Sequence, residues 1–88
     1  MRLLDVFKLY PGGMTALALA CDVPQRTLYR TAWAEQKSAP WILCEIADAF
    51  RGLTDHRKRQ IRQELGWSPW NFDTLKSAWF EQRGRVEA

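Results

Sequence analysis

Four polar side chains are spaced so that they share one face of a short helix: Gln25, Arg26, Tyr29 and Arg30. Arginine forms paired hydrogen bonds with guanine, glutamine does so with adenine, and both also bind phosphate oxygens. A helix that exposes these side chains therefore has the chemistry to contact base edges in the major groove of DNA. The alternative interpretation is a core helix whose basic face is only solvated.

A preceding helix is predicted to support these residues. From residue 14 onward it presents Leu17, Ala18 and Cys21 at positions i, i+1 and i+4, which is an apolar stripe of helical period. Where two helices cross steeply, the residue nearest the crossing has room for little more than a methyl group. Ala18 meets that requirement.

The corner between the two helices is predicted at residues 21–24. Asp22 is expected to adopt the left-handed conformation that ends a helix. Val23 is expected to pack its apolar side chain beneath the turn, and Pro24 is expected to take the first position of the second helix. Leu28, five residues after Val23, is then expected to point inward.

Residues 14–33 resemble the helix-turn-helix of the Cro and phage-repressor family of DNA-binding proteins. Residues 38–50, S-A-P-W-I-L-C-E-I-A-D-A-F, look like that family's fourth helix, which commonly has a proline near its start and an I-A-x-A-[LF]-like end. The likeness covers roughly residues 3–65. Asp22 stands where the family usually has glycine, and Thr31 where a second aliphatic residue usually anchors the recognition helix. These differences imply a tilted or less tightly packed second helix.

This resemblance implies a sequence-specific transcriptional regulator of phage or prophage type. Such a protein would bind a two-fold symmetric operator in double-stranded DNA as a homodimer, with half-sites about one helical turn apart. The DNA-binding residues implied are Gln25, Arg26, Tyr29 and Arg30 in the major groove, with Thr15 and Lys37 on the phosphate backbone.

The composition is that of one ordinary globular domain. Of 88 residues, 47% are apolar and 26% are charged, which argues against a chain that is disordered throughout. The net charge of +3 is compatible with nucleic-acid binding but too small to predict it alone. Because no apolar run approaches the ~20 residues that span a bilayer and no secretory signal is evident, a cytoplasmic protein without a membrane partner is predicted.

No motif for catalysis, metal binding or cofactor binding is recognisable. His56 has no second histidine and no cysteine pair to complete a metal site, and it is expected to be an exposed first-turn residue. Glycine-rich phosphate loops and nucleophile motifs are also missing from the sequence. We therefore predict no enzyme activity, metal or cofactor. Cys21 and Cys44 lie in apolar helical patterns and are predicted to be buried free thiols.

The predicted fold is all-α: a small single-domain bundle of five to six helices, similar to the phage-repressor fold with an added carboxy-terminal helix. Residues 1–65 would form the helix-turn-helix core, and residues 66–88 an aromatic-rich helix and tail of the same domain. A first helix is predicted over residues 1–10 and is stopped by residues 11–13, P-G-G. The fourth helix is predicted to begin near Ser38 and to bury Ile42, Leu43, Ile46, Ala47 and Phe50.

The fifth helix is predicted over residues 55–65, with Thr54 at its cap and Gly66 at its end. It is unusually basic. Its cations form either a solvated face or a surface along a phosphate backbone, where each neutralised phosphate would add salt-dependent affinity. The candidate phosphate contacts are Arg57, Lys58, Arg59 and Arg62.

The last segment is rich in large aromatic residues. Ser68 and Pro69 are predicted to open its helix, and residues 83–88 to form a polar, frayed tail. Because one helix buries only one stripe, some aromatics are expected on the surface, at a homodimer interface or against a host or phage protein. The second function hypothesis is accordingly a small phage-type inhibitor or antirepressor. The candidate interface residues are Trp67, Trp70, Trp79 and Phe80.

Overall fold

The computed structural model describes residues 2–33 and 39–87, with side chains at 2–33 and 40–83. These residues form six α-helices and no strand, which confirms the predicted all-α bundle. The helices are α1 (Leu3–Lys8), α2 (Gly13–Cys21), α3 (Gln25–Ala32), α4 (Ala39–Arg51), α5 (Asp55–Leu65) and α6 (Phe72–Glu87).

The short helix α1 ends at Lys8, two residues earlier than predicted. Tyr10 follows in a turn, and its ring lies edge-on to Phe50 with centroids 5.3 Å apart. Gly12 has a φ of 92°, and a Cβ at this position would lie 2.6 Å from the Cβ of Ala16. Only glycine therefore fits this corner. The P-G-G segment stops α1 as expected, although Gly13 already belongs to α2.

Helix α4 occupies the middle of the bundle and packs chiefly against α2 and α6. The five residues that the sequence predicts as its buried face are all at most 1% exposed, which confirms the helical register. Aromatic side chains from the two ends of the chain complete the core around it. The largest buried side chains are Trp79, Phe7 and Phe50.

Helix α5 is peripheral, since Ile61 is its only buried residue. Its predicted ends are confirmed. The Thr54 hydroxyl accepts a 3.3 Å hydrogen bond from the backbone N–H of Arg57, and Gly66 ends the helix with a φ of 76°. His56 is exposed in the first turn, as predicted.

The predicted start of α6 at Ser68 and Pro69 is wrong, because these residues belong to a turn. The backbone N–H of Asn71 and the hydroxyl of Thr74 both donate to the carbonyl oxygen of Ser68. Asn71 precedes the helix, and its Oδ1 accepts a 3.0 Å hydrogen bond from the N–H of Asp73. An asparagine that binds the first turn in this way is a common start for a helix.

The predicted frayed tail is also wrong, because α6 continues to Glu87. Trp79 is completely buried and anchors the preceding turns of this helix to the core. Once a helix is nucleated and anchored, each further residue adds one hydrogen bond at little extra cost. Ala88 lies outside the described residues.

The two cysteines differ in exposure, so the prediction that both are buried is wrong for Cys44. That residue lies on the outer face of α4 and is exposed, whereas Cys21 is buried. Burial, reinforced by the nearby carboxylate of Glu45, raises the pKa of the Cys21 thiol to about 11. Near neutral pH this thiol therefore carries almost none of the reactive thiolate.

A brief pulse of iodoacetamide at pH 8 is accordingly expected to alkylate Cys44 and leave Cys21 unmodified in the folded protein. Mass spectrometry would show one added group per native chain and two after denaturation. Cys44→Ser is the matched control, and native labelling of this variant should be lost. Equal modification of both thiols in the native protein would contradict the described burial.

Candidate nucleic-acid interface

The turn between α2 and α3 depends on a left-handed aspartate. Asp22 has φ 55° and ψ 46°, as the sequence predicts for a residue that ends a helix. The next backbone N–H, that of Val23, donates to the carbonyl oxygen of Ala18 at 3.1 Å. Val23 is half-buried against the core under the turn. Pro24 is the N-cap of α3 rather than its first helical residue, because its ψ of 147° is extended.

Asp22→Gly is expected to raise the free energy of unfolding by about 0.5–1 kcal/mol, because glycine adopts this left-handed conformation without the strain of a Cβ. Urea denaturation followed by circular dichroism would measure the change. Ala20→Gly, at an exposed position inside α2, is the control and should lower the free energy of unfolding by about 1 kcal/mol. A lower stability for Asp22→Gly would mean that the aspartate side chain itself stabilises the turn.

Helix α3 divides sharply into a buried and an exposed face. Leu28, Thr31 and Ala32 have no exposed area at all. The structure places the four side chains singled out by their spacing on the opposite, solvent-facing side. These are Gln25, Arg26, Tyr29 and Arg30.

Thr31 is buried, although it stands where the resemblance to the phage-repressor family implies an aliphatic residue. Its side chain is completely buried, and its hydroxyl donates to the carbonyl oxygen of Thr27 at 2.8 Å. Because this hydroxyl is satisfied within its own helix, only the methyl group faces the core. Thr31 therefore lies on the buried face of α3, where the resemblance implies an aliphatic residue.

The first residue of α3 is joined to the first turn of α2. Nε2 of Gln25 donates to the hydroxyl of Thr15 on the exposed side of the two helices. This contact uses one of the two amide hydrogens of Gln25. The other hydrogen and Oε1 are the two groups that paired recognition of adenine requires. The hydrogen bond thus restrains Gln25 while leaving its base-recognising edge open.

The two arginines of α3 carry uncompensated charge. Within the described part of the chain, neither Arg26 nor Arg30 takes part in an ion pair, and the first turn of α3 contains no acidic residue. A phosphate approaching this surface would therefore meet two full positive charges and the positive end of the helix dipole. The predicted backbone contact Lys37 lies outside the described residues.

The basic residues of α5 form a second charged surface. Arg57, Arg59 and Arg62 are exposed and Lys58 is half-buried. Helical geometry places Lys58, Arg59 and Arg62 on one side, at i, i+1 and i+4, and Arg57 on another. None of the four has an ion-pair partner among the described side chains. Both the solvated and the phosphate-binding interpretation agree with this arrangement.

The candidate aromatic interface is only partly on the surface. Trp79 is completely buried, so its assignment as an interface residue is wrong: this ring closes the core. Trp67 and Trp70 are half-buried and pack against the core. Phe80 is 47% exposed and lies edge-on to Trp79, with ring centroids 4.9 Å apart. The exposed part of this surface is therefore chiefly Phe80.

Other apolar surface lies elsewhere. Trp33 is 56% exposed at the end of α3, and Trp41 is 55% exposed on α4. The exposure of Trp41 is predictable from the register of α4, because Ile42 and Leu43 both face inward. A shallow groove of about 360 Å³ also runs along α6. Its lining residues are Trp67, Asp73, Thr74, Ser77, Ala78 and Glu81.

Two hydrogen bonds between α6 and α3 were not predictable from the sequence. Nε1 of Trp79 donates to the carbonyl oxygen of Thr31 at 3.0 Å, and Nε2 of Gln82 donates to the carbonyl oxygen of Ala32. Oε1 of Gln82 accepts a 2.9 Å hydrogen bond from the backbone N–H of Leu3. The partners are 48 to 79 residues apart in the chain. No local pattern predicts pairs at such separations.

No family model matches this chain, and no curated protein or solved structure matches it significantly. The resemblance of residues 3–65 to the Cro and phage-repressor family therefore stays a prediction from the sequence. Among the side chains of residues 2–33 and 40–83, no cluster of three or more histidine, cysteine or acidic groups is placed to hold a metal ion. Within residues 2–33 and 39–87, no helix has the length and apolar character needed to cross a bilayer.

Proposed function

We propose that this protein is a sequence-specific DNA-binding regulator that inserts α3 into the major groove. The observation that carries the proposal is the division of α3 into a fully buried apolar face and an exposed face with two unpaired arginines and a restrained glutamine. Direct contact with base edges requires a helix whose inner face packs on the core and whose exposed face carries hydrogen-bond donors.

Each exposed side chain of α3 has a role that follows from its position. In a recognition helix the amino-terminal residues contact base edges. Gln25 and Arg26 occupy that end, and we assign them to adenine and guanine. Tyr29 and Arg30 lie one turn later and would contact bases or the flanking phosphates. Thr15 would hold Gln25 and contact the backbone.

The same protein would bind DNA as a homodimer on a two-fold symmetric operator. Half-sites would then lie about 34–36 Å apart, which is one turn of the duplex. Lys37 and the basic face of α5 would add phosphate contacts whose contribution weakens as salt increases. The α5 residues in this group are Arg57, Lys58, Arg59 and Arg62.

Selection from a pool of randomised duplexes, followed by an NMR titration of the labelled protein with the enriched duplex, would test this proposal. We expect an enriched motif with two-fold symmetry and amide shifts concentrated at Thr15 and residues 25–33. The variant Arg26→Ala should no longer enrich the same motif, whereas Cys44→Ser, on the outer face of α4, should. A folded protein that enriches no motif, with α3 amides unmoved by DNA, would refute the proposal.

The second candidate is a protein-interaction module, such as a phage-type inhibitor or antirepressor. It is supported by the exposed Phe80 ring and by the groove along α6 beside Trp67. Large aromatic side chains are frequent anchors of protein interfaces. A shallow salt dependence of DNA affinity, with no preferred sequence, would favour this candidate over the first.

A further inference from the structure

Helix α3 is too short to hold its own conformation. It has eight residues, and isolated helices below about 12–15 residues are marginal in water. Its N-cap is Pro24, which supplies no side-chain hydrogen bond. At its other end the backbone N–H of Trp33 donates to the carbonyl oxygen of Tyr29 at 3.0 Å, and the carbonyl groups after Tyr29 depend on partners outside the helix. The direction of α3 is therefore set by what surrounds it.

Helix α6 supplies two of the partners that α3 lacks. The indole of Trp79 and the amide of Gln82, three residues apart on one side of α6, donate to the carbonyl oxygens of Thr31 and Ala32. Gln82 at the same time accepts from the backbone of Leu3 at the start of α1. One side chain of α6 thus joins the end of α3 to the start of α1.

The helix that carries these donors, α6, is well packed in the core. Leu75 and Trp79 have no exposed area, and α6 packs chiefly against α4 and α1. Helix α3 packs chiefly against α1, α2 and α4. The hydrogen bonds from Trp79 and Gln82 therefore couple α3 to a helix that it otherwise contacts little.

We infer that Trp79 and Gln82 are positioning residues for base recognition, an inference that rests on the proposed DNA-binding function. They contact no DNA, and they fix the tilt of α3 from its carboxy-terminal end. Eight residues of helix are about 12 Å long, so a tilt of about 10° at that end moves Gln25 by about 2 Å. Recognition sites require geometry held within about 0.5 Å and 10–20°. Loss of these contacts should therefore cost discrimination between sequences.

The test is Gln82→Met, which keeps the side-chain length and helix propensity but removes both hydrogen bonds. Dissociation constants are measured for the selected duplex and for a scrambled duplex of equal composition. We expect the ratio of the two constants to change about five- to tenfold in favour of the scrambled duplex, about the size of one net hydrogen bond, because only the specific complex requires the tilt of α3 that these contacts hold. Gln63→Met, at an exposed position of α5, is the matched control and should leave the ratio unchanged.

The ratio separates positioning from stability. A variant that is merely less folded loses affinity for both duplexes by the same factor, so its ratio stays at the wild-type value. If Gln82→Met proves unfolded, Trp79→Phe decides, because it keeps an aromatic ring in the core while removing the Nε1–H donor, and any stability lost with the smaller ring affects both duplexes equally.

An unchanged ratio in the folded variant would overturn the inference while the proposed function stands. A wild-type protein that prefers no duplex would instead overturn the proposed function, and the inference with it.

Discussion

Trp79→Ala is expected to lower the free energy of unfolding by about 3–5 kcal/mol, the usual cost of removing a large aromatic side chain from a core. Trp79 is the largest side chain with no exposed area. Its removal would open a cavity between α6 and its neighbours and leave the carbonyl oxygen of Thr31 without its indole donor. Small domains are stable by only about 5–15 kcal/mol, so much of the stability would be lost.

Urea denaturation at 25 °C, followed by circular dichroism, would measure this loss. The matched control is Trp41→Ala, because Trp41 is 55% exposed on α4. This control removes the same side chain from a mostly solvated position and should change the free energy of unfolding by less than about 1 kcal/mol. Equal destabilisation by the two variants would contradict the placement of Trp79 in the core.

Arg26→Ala should weaken binding to the selected duplex by about 1–3 kcal/mol, roughly five- to 150-fold, and relax the preference for guanine at one position. The expectation follows from the exposed guanidinium in the first turn of α3, which has no ion-pair partner among the described side chains. Fluorescence anisotropy with duplexes that differ at single base pairs would measure both effects.

The control for Arg26 removes the same charge from another helix. Arg59→Ala, on the exposed side of α5, should leave base preference unchanged. If Arg59 contacts a phosphate, its loss should weaken binding to every duplex equally and reduce the salt dependence by about one unit. A uniform loss for Arg26→Ala as well would mean that Arg26 contacts only the backbone.

Local chemistry explains why much of the fold is predictable from the sequence. The apolar period of α4 identifies its buried face, because every third or fourth residue of a helix lies on one side. Asp22 and Gly66 identify helix ends because few residues tolerate a positive φ. The exposed face of α3 follows in the same way from the spacing of its polar side chains.

The wrong predictions have more than one cause, and long-range packing is the first of them. Trp79 is core and Phe80 is surface because of where α6 lies against α1 and α4, which no local pattern specifies. Cys44 resembles a core residue by type, yet the register of its helix turns it outward. The start of α6 was misplaced because Ser68 and Asn71 both suit a cap, and the hydrogen bonds of the turn decide between them.

The hydrogen bond between Gln82 and Ala32 has a consequence for synthesis. Its two residues are separated by 50 positions in the chain. At about 5–20 residues per second, the end of α3 is synthesised roughly 3–10 s before its partner on α6 is made. During that interval the carbonyl groups at the end of α3 lack their donors from Trp79 and Gln82. The surface proposed to meet DNA is therefore completed only after every other described helix has been synthesised.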